Sequence, residues 1–408
     1  MKAILIAVVL SLISLPLKAQ DVKLFQNLQV WNVFSMNARN DAGEPVDDRL
    51  NTFLRRARLG VEGKIQNDIS YRITFAYDNI GKDVFTAVSG EPQGSSDKEF
   101  YLFDASVLWS IDTTWANLTL GFFRPQAGRE HMTAAFAVTS FEKSLENFYQ
   151  REYMLGRGSG REVGLNLGGL MHEGNFGINY NFGFFNPNHE RIIGNGTKWS
   201  PLLAGRIALT IGDPEMQKYK TGYQINYQSK RRGITFAVNG TYQGKTDETA
   251  TARRVNDSTV LYSYTGGFKR NVIIGADVLL NWDKLNIDAE YDIFLRGFSP
   301  EFAGQIHSGE EFADRAWHIR GSYNVPLGEH IIEPSLLYTS FRGSAQSVLY
   351  KNGTHDILSA TLNYYIRGEK WKVAMTYADQ RGGAQSRFTR NGKSSRGNYT
   401  AVGFQWLF

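Results

Sequence analysis

Hydrophobic and polar residues alternate with a period of two along much of the chain. In the stretch 69–78, ISYRITFAYD, Ile69, Tyr71 and Ile73 fall on one face and polar residues fall on the other. Successive side chains of a strand point to opposite faces of its sheet, so this pattern predicts two-faced β-strands. The same alternation, more or less regular, recurs in FGINYNFGFF (176–185), NVIIGADVLLNW (271–282), LNIDAEYDIFLR (285–296) and WKVAMTY (371–377).

Two all-β architectures give strands of this kind. A soluble antiparallel sandwich hides its apolar faces in a core and shows its polar faces to water. A transmembrane barrel does the reverse, because its apolar residues face lipid and its polar residues face a water-filled lumen. Periodicity alone does not separate the two, but the connections, the C-terminus and the aromatic residues do.

Short turns alternate with long polar loops along the chain. The turns are predicted at 66–68, 112–116, 172–175, 283–284 and 367–370. The loops are predicted near 37–51, 81–99, 124–159, 186–201, 245–270, 297–313, 342–353 and 381–396. Short turns at one rim and long loops at the other are typical of an outer-membrane barrel, here of about sixteen strands. One connection, 212–232, is long where a short turn is expected, and its Tyr-rich middle is compatible with an additional strand.

The chain ends in NYTAVGFQWLF, in which Phe404, Trp406 and Phe408 alternate up to the last residue. This ending resembles the C-terminal signal that the barrel-assembly machinery reads in outer-membrane proteins. The alternative is an ordinary last strand that happens to end on Phe. Tryptophans also lie close to predicted strand ends, where amphipathic rings would meet the lipid–water boundary: Trp109, Trp115, Trp282 and Trp371.

The N-terminal sequence MKAILIAVVLSLISLPLKAQ has a basic start, a short apolar run and small residues near Ala19. It predicts a secretory signal peptide over residues 1–19, followed by a single barrel domain over 20–408. The chain contains no Cys, which excludes disulfides, thiolate metal sites and a lipid anchor on Cys. A net charge of only +5 argues against nucleic-acid binding. After the signal, no apolar run approaches the roughly 20 residues of a spanning helix.

The stretch TFLRRARLGVEGKI (52–65) places three arginines within four positions. In a barrel strand, alternation assigns Arg56, Arg58, Glu62 and Lys64 to the lumen, and Phe53, Ala57, Leu59, Val61 and Ile65 to the lipid face. Arg55 then falls on the lipid face, where charge is costly unless its side chain reaches the rim or a subunit contact. The lumen arginines either attract anions or pair with acids such as Asp78 or Asp104 as part of the wall.

The run FLRRARLGVEGKI resembles the second-strand signature of the phosphate- and polyphosphate-selective porins, porins O and P. A second match is LTLGFFRPQAGREHMTAAFAVTSFEKSLENFYQ (118–150), with its Gly-aromatic strand end, its Pro-x-x-Gly turn and its Phe-Glu-Lys-Ser segment. GREVGLNLGGL (160–170) is similar to the next strand of the family. The resemblance covers about residues 50–185. It implies a sixteen-stranded homotrimeric porin whose third long loop, 124–159, folds into the barrel and narrows the pore.

That resemblance implies passive diffusion of small anionic solutes, with phosphate or polyphosphate as candidates. Basic side chains at a constriction favour anions, and Arg suits phosphate because its planar fork donates paired charge-assisted hydrogen bonds. The candidate pore-lining residues are Arg56, Arg58, Lys64, Arg72, Arg124, Arg129, Arg151, Arg157, Arg206 and Arg320. His131, Lys143 and Arg161 are further candidates in the stretch 124–161. Within that loop, SFEKSLENFY predicts a short helix capped by Ser140.

Acidic residues at predicted lumen positions oppose these arginines, and LNIDAEYDIFLR in particular presents an acidic face. They are Glu62, Asp78, Asp104, Glu162, Asp277, Asp288, Glu290 and Asp292. Phosphate selectivity therefore does not carry over directly from the family. A general diffusion porin without phosphate selectivity is equally compatible with the sequence.

Enzymatic and metal-binding motifs are weak. GRGSGREVG (156–164) lacks the helix that a nucleotide-binding loop needs. His318 and Ser322 share a predicted strand face but are about 13 Å apart, too far for proton transfer. We predict no enzyme activity, no cofactor and no metal, although a barrel enzyme or a closed binding barrel remains the alternative class. The predicted location is the bacterial outer membrane, reached through the periplasm, with lipid, the assembly machinery and small anions as partners.

Overall fold

We analysed a computed structural model of the chain. The structure describes residues 20–40, 42–83, 85–88, 100–155, 159–186, 200–244, 248–256, 259–266, 268–298, 311–345, 352–382 and 397–408. The predicted signal peptide, over residues 1–19, and the candidate Arg157 lie outside the described residues.

Nearly all of the regular structure is β-strand. The strands are β1 Gln20–Met36, β2 Arg49–Lys64, β3 Ile69–Ala76, β4 Tyr101–Asp112, β5 Ala116–Phe123, β6 Glu162–Glu173, β7 Phe176–Phe185, β8 Leu202–Gly212, β9 Arg232–Gln243, β10 Glu248–Asn256, β11 Thr259–Gly266, β12 Phe268–Trp282, β13 Leu285–Phe298, β14 Glu311–Tyr323, β15 Val325–Leu327, β16 His330–Arg342, β17 Thr354–Tyr365, β18 Trp371–Gly382 and β19 Asn398–Leu407. Two helices, Arg129–Met132 and Leu145–Leu155, interrupt the series between β5 and β6. Among the described residues, no helix is long and apolar enough to cross a membrane.

Sixteen of these strands close into one antiparallel barrel, which confirms the predicted architecture and strand number. Each strand pairs with its neighbour in the chain, β9 pairs with β12, and β1 pairs with β19 to close the sheet. The hairpin of β10 and β11 forms a separate two-stranded sheet, and the short β15 pairs only with β16. The predicted turns at 66–68, 112–116, 172–175, 283–284 and 367–370 all lie between consecutive strands of the barrel.

The two faces of the sheet have inverted polarity. In β9, Phe236 and Val238 are 50% and 61% exposed, whereas Thr235 and Asn239 are buried. A soluble sandwich would bury the apolar set and expose the polar one. The buried face is the interior of a closed barrel, so the polar side chains point inward and the apolar ones outward, as a transmembrane barrel requires.

The tryptophans that were predicted near strand ends do lie there. Trp115 is in the turn between β4 and β5, Trp282 ends β12, and Trp371 begins β18. Trp109, near the end of β4, donates its indole N–H to Asp68 over 3.0 Å. All four lie at the short-turn rim of the barrel, and Trp109, Trp115 and Trp282 are exposed on its outside.

A β-bulge in β2 corrects the predicted register of the basic stretch. Gln29 pairs with Arg56 and the next residue, Val30, pairs with Leu54, so Arg55 is left without a partner across the ladder. A bulge of this kind turns two consecutive side chains toward the same face. Arg55 and Arg56 are consequently both buried, and the prediction that Arg55 faces lipid is wrong.

The bulge also reverses the assignment of Phe53, which is buried beside Trp31 with a centroid separation of 6.1 Å. The prediction that Phe53 faces lipid is therefore wrong. Beyond the bulge the predicted alternation holds. Arg58 is buried on the inner face and Leu59 is 53% exposed on the outer face.

Connection 213–231, between β8 and β9, is not a short turn and adds no strand to the barrel. Several of its side chains are buried, including Tyr219, Tyr223 and Asn226. These side chains bond inward-facing residues of the barrel, so the segment packs against the inner face instead of crossing the rim. That packing explains its length.

Candidate functional site

Segment 124–155 contacts the inward-facing side chains of strands on opposite sides of the barrel. Glu142 reaches Arg55 and Arg56 on β2, while Glu146 reaches His318 on β14. Backbone groups of the segment contact further strands. The N–H groups of Glu130 and Leu145 donate to Glu290 on β13 and to Thr339 on β16. The carbonyl oxygens of Thr139, Val138 and Phe136 accept, in that order, from Asn363 on β17, Lys372 on β18 and Gln405 on β19.

The helix of this segment differs in its start from the prediction. It spans Leu145–Leu155, so it begins five residues after Ser140. The Ser140 hydroxyl instead donates to the carbonyl oxygen of Glu142, at 2.7 Å. The assignment of Ser140 as the helix cap is therefore wrong, because its hydroxyl is used outside the helix, which begins only at Leu145.

Arg55, Arg56 and Glu142 form the contact with β2. The Oε2 and Oε1 atoms of Glu142 lie 2.5 Å from Arg55 Nη2 and 2.8 Å from Arg56 Nη2. Both guanidinium groups also lie over the Trp31 ring, 5.2 and 5.5 Å from its centroid. Burial alone would raise the pKa of Glu142, but the two arginines outweigh it and hold that pKa well below its usual value.

Arg58 pairs with Asp78, one of the two acids that the sequence suggested, at 2.6 Å between Nη2 and Oδ2. The other acid, Asp104, pairs with Arg161 at 3.1 Å. Phe103 lies between these two pairs, with the guanidinium carbons of Arg58 and Arg161 3.8 and 3.5 Å from its ring centroid. Asp78 therefore neutralises the charge of Arg58, and the pair is part of the barrel wall.

Arg129, Arg206 and Asp277 interlock on the other side of the barrel. Asp277 Oδ1 accepts from Arg129 Nε at 2.8 Å and from Arg206 Nη2 at 2.7 Å. Arg129 is also bidentate to Glu215, with contacts of 2.7 and 2.8 Å. Opposing charge thus fully surrounds both arginines, and neither offers a free guanidinium to a solute.

Arg320 is likewise buried among acids. Its Nη2 lies 2.7 Å from Glu130 Oε2 and 3.0 Å from Asp288 Oδ2. His318 also bonds Asp288, at 2.8 Å, whereas the Ser322 hydroxyl donates to Glu333 at 2.6 Å. His318 and Ser322 therefore have separate partners and form no nucleophile–base pair.

Basic side chains from segment 124–155 and from the residue just before β6 gather beside these neutralised contacts. We call Arg124, His131, Lys143, Arg151 and Arg161 the loop cation cluster. Arg124 Nη1 donates to the carbonyls of residues 131–133 at 2.9–3.0 Å, and Lys143 Nζ donates to the carbonyls of Glu130 and His131. Within the described part of the chain, neither Arg124 nor Lys143 hydrogen-bonds to a carboxylate.

His131 is at the centre of the cluster. It is fully buried, and neither ring nitrogen has a hydrogen-bond partner among the described residues. Gly160 closes over it with φ +66°, and a Cβ there would lie 2.9 Å from both the His131 ring and the Arg151 side chain. Only glycine fits this position without displacing the cluster.

Burial and the neighbouring like charges both disfavour the protonated forms of the cluster. Burial and the charges of Arg151 and Arg124 hold the pKa of His131 well below its usual value. Burial together with Arg124 and Arg151 does the same to the pKa of Lys143, and burial with Arg161 and Arg151 lowers that of Arg124. An anion placed among these groups would relieve the repulsion.

The remaining predicted residues lie away from this cluster. Lys64 is exposed at the end of β2, and Arg72 is half exposed and pairs with Glu62 at 3.1 Å. Phe404 and Trp406 lie on the outer face of the closing strand β19, and exposed Phe408 follows its last residue. The Phe408 N–H donates to the Gln26 carbonyl at 2.9 Å, and the Gln26 N–H donates back at 3.1 Å.

Sequence reasoning missed the contribution of segment 213–231 to the interior. Tyr219 donates its hydroxyl to Asn181 Oδ1 at 2.6 Å, and the Tyr223 hydroxyl donates to Asn179 and accepts from Arg206. The spacing of tyrosines at 219, 223 and 227 in an overlong connection was the available signal. This spacing was compatible with a strand or with a segment packed against the inner face, and the structure shows the second.

A closed sixteen-stranded barrel with a polar interior and an apolar exterior defines an outer-membrane channel of the porin class. The sequence model of the family described as phosphate-selective porin O and P matches residues 29–265, which is more than half of the chain. The chain therefore belongs to that family, as the sequence resemblance indicated. The family and the barrel together imply location in the outer membrane.

Solved porin structures share the fold at low sequence identity. An anion-selective porin from Comamonas acidovorans is 14% identical, with 95% of this chain and 99% of that chain covered and a TM-score of 0.59. The outer-membrane channel DcaP of Acinetobacter baumannii is 11% identical, with coverages of 95% and 97% and a TM-score of 0.56. The trimer form of OmpT from Vibrio cholerae is 11% identical, with coverages of 96% and 100% and a TM-score of 0.53. A comparison with curated protein sequences finds no match.

Proposed function

We propose that the protein is a channel for passive diffusion of small anions, and that the loop cation cluster is its selective element. The observation that carries the proposal is that buried Lys143 and partly buried Arg124 lie beside His131, and neither cation has a carboxylate in hydrogen-bonding distance among the described residues. Fixed positive charge in a narrow passage lowers the energy of an anion and raises that of a cation.

Charge neutralisation elsewhere in the barrel supports this assignment. Arg56, Arg58, Arg129, Arg206 and Arg320 each have a carboxylate within 3.0 Å, so they contribute little net charge to a passing ion. We therefore assign anion binding to the loop cation cluster and not to these five paired arginines. Arg124 keeps that role, and Arg129 holds segment 124–155 to the wall through Glu215 and Asp277.

We further propose that segment 124–155 is the inward-folded third long loop and forms the constriction. Its contacts with β2 and with β13, β14 and β16 are made to strands far apart in the closed sheet, which supports a position across the lumen. Homotrimeric assembly is proposed as well, supported by the trimer form of OmpT among the similar structures. Export through the periplasm is supported by the signal-like residues 1–19.

Phosphate is the oxyanion that best fits the donor chemistry of the cluster. A guanidinium donates two parallel hydrogen bonds to an oxyanion, and an ammonium adds a point charge. The family description supports the same solute. A channel that passes chloride and phosphate equally well would instead support general anion diffusion.

Reconstitution in planar bilayers tests the proposal. Under a KCl gradient, the reversal potential of the wild-type channel should indicate anion preference, and added phosphate should reduce the chloride current. Lys143→Gln with Arg151→Gln should move the reversal potential toward cation preference. Arg232→Gln is the matched control, because Arg232 is exposed at the short-turn rim. A cation-selective wild-type channel would overturn the proposal.

A further inference from the structure

Three buried carboxylates lie together between segment 124–155 and β13. Glu146 is on the helix Leu145–Leu155, and Glu290 and Asp292 point inward from β13. One oxygen of each lies within 4.8 Å of an oxygen of the other two. We call these residues the carboxylate triad.

Each member of the triad has one carboxylate oxygen in a hydrogen bond. Glu146 Oε2 is 2.6 Å from His318 Nδ1, Glu290 Oε2 accepts from the Glu130 N–H at 2.7 Å, and Asp292 Oδ2 accepts from Gln150 Nε2 at 3.1 Å. The second oxygen of each is buried and has no hydrogen-bond donor among the described residues. Three such oxygens close together are costly unless a positive species lies among them.

A neutral oxygen points to the same place. Gln150 is fully buried, and while its amide nitrogen donates to Asp292, its carbonyl Oε1 has no partner among the described residues. A Cβ built on Gly128 would lie 2.2 Å from Gln150 Nε2 and 2.6 Å from both Gln150 Oε1 and Glu290 Oε1, so the Gln150 amide and the free oxygen of Glu290 meet over the same glycine. A carbonyl oxygen that faces carboxylates is better explained by a bound cation than by a proton shared between the carboxylates.

Four neighbouring acids of the interior have their own cations. Asp277 pairs with Arg129 and Arg206, Glu142 pairs with Arg55 and Arg56, and Glu130 and Asp288 share Arg320. Among the described residues, Glu290 and Asp292 form no salt bridge, and Glu146 has only His318, which it shares with Asp288. The triad is thus short of positive charge beside four acids that are each paired with a cation.

We propose that the carboxylate triad and Gln150 bind a hard divalent cation, with Ca²⁺ as the best match. Ca²⁺ takes carboxylate and carbonyl oxygens and accepts flexible geometry. Bound there, it ties the helix Leu145–Leu155 to β13. It also offsets negative charge near the loop cation cluster, so that the passage stays favourable to anions.

Calcium titration of the full mature barrel, purified in detergent and treated with EDTA, tests the site. Isothermal titration calorimetry should show one equivalent of Ca²⁺ with a dissociation constant at or below about 10⁻³ M, the weak end of protein calcium sites. The unfolding temperature should rise with added Ca²⁺ and fall after EDTA, independently of any conductance.

Glu290→Gln with Asp292→Asn removes two charged ligands with little change in volume and should weaken Ca²⁺ binding at least tenfold. Gln150→Leu removes only the carbonyl ligand and provides a second variant if the first does not fold. Asp356→Asn, at the half-exposed pair with Arg342, is the matched control and should bind Ca²⁺ like the wild type.

Absence of heat and of thermal stabilisation in the wild type at about 10⁻² M Ca²⁺ would overturn the proposal, and would indicate that the carboxyls share protons instead. Equal Ca²⁺ affinity in the variant Glu290→Gln with Asp292→Asn and in the Asp356→Asn control would overturn the proposal as well. Neither outcome depends on the anion channel, since channel selectivity is measured separately by reversal potential.

Discussion

Arg55 and Glu142, 87 positions apart in the sequence, form an ion pair with 2.5 Å between Nη2 and Oε2. The pair exists because the bulge in β2 turns Arg55 toward the interior beside Arg56. Glu142 then accepts from both guanidinium groups, next to the Trp31 ring. A one-residue irregularity in a strand therefore decides where segment 124–155 is held.

Glu142→Gln should destabilise the barrel by about 3 kcal/mol. Removing one partner of a buried ion pair costs about 3–5 kcal/mol, and the bonds that Arg55 and Arg56 keep to Asn79 and Gln29 place the loss at the lower end. Urea unfolding of the refolded protein in detergent measures the change. Asp356→Asn is the control, with an expected loss of about 1 kcal/mol or less because its pair is half exposed. Equal losses of stability in the two variants would contradict the role of Glu142 in holding segment 124–155 to β2.

Stability should fall with acid. Burial raises the pKa of Glu130 and Glu215, but Arg320 and Arg129 respectively outweigh it and lower each pKa to about 2. Arg55 and Arg56 outweigh burial in the same way and hold the pKa of Glu142 well below its usual value. The unfolded chain, with ordinary values near 4.5, then binds more protons than the folded one. The stabilisation is complete above that pH and is lost progressively toward pH 2.

The lowered pKa of His131 acts in the same direction from about pH 6.5 downward, since the unfolded chain protonates its histidine first. Urea midpoints measured from neutral to acidic pH check the trend, and Glu142→Gln should flatten the acidic part of the curve. A midpoint that is constant or rises toward pH 3 would mean that these carboxyls are not held ionised by their arginines.

The register of β2 beyond the bulge predicts a depth-dependent cost of charge on the outer face. Leu59 is in the central part of the strand and 53% exposed, so Leu59→Arg should cost about 2–4 kcal/mol and reduce the folded yield. Thr52 is also exposed but lies near the long-loop rim, and Thr52→Arg should cost about 1 kcal/mol or less. Folding into lipid vesicles, followed by gel mobility with and without heating, measures both. A larger loss for Thr52→Arg would show that the register is wrong.

Loss of Phe408 should impair assembly. Its backbone exchanges two hydrogen bonds with Gln26 and so completes the seam between β19 and β1. Deleting Phe408 removes both bonds and the last aromatic side chain of the outer face, so the outer-membrane level should drop severalfold. Phe408→Tyr, which keeps the ring and the backbone, is the control. A normal level of the deletion variant in isolated outer membranes would exclude an assembly role.

The barrel was predictable from sequence because alternation and turn spacing are local. Strands such as 176–185 and turns such as 283–284 were placed by neighbours within a few residues. Arg55 and Phe53 were misplaced, because a bulge shifts the faces without a strong local signal. Pairs such as Arg129 with Asp277, separated by 148 positions, depend on how segment 124–155 meets the barrel wall and have no local signature at all.

The role of the loop cation cluster was only partly predictable for the same reason. The sequence placed Arg124, Arg129 and Arg151 in one loop, but it could not say which of them meet acids from other strands. The structure separates Arg129, which is neutralised by Glu215 and Asp277, from Arg124, which donates to backbone carbonyls. Only the second kind keeps its charge available for a solute.

Segment 213–231 gives the last prediction, because it packs against the inner face from the short-turn rim. Replacing residues 214–230 with a two-residue Asn-Gly turn should join β8 to β9 directly, since that dipeptide suits a tight hairpin. The change removes Glu215 from Arg129 and Tyr223 from Arg206, and takes Tyr219 out of the interior. The passage should become wider and more positive.

We therefore expect a higher single-channel conductance and a stronger anion preference than in the wild type, measured in planar bilayers under a KCl gradient. Tyr219→Phe with Tyr223→Phe is the matched control, because it keeps the bulk of the segment and removes only two hydroxyl groups. Its conductance should stay close to the wild-type value. If the shortened channel conducts no better than this control, segment 213–231 does not narrow the passage, and its buried tyrosines only stabilise β6, β7 and β8.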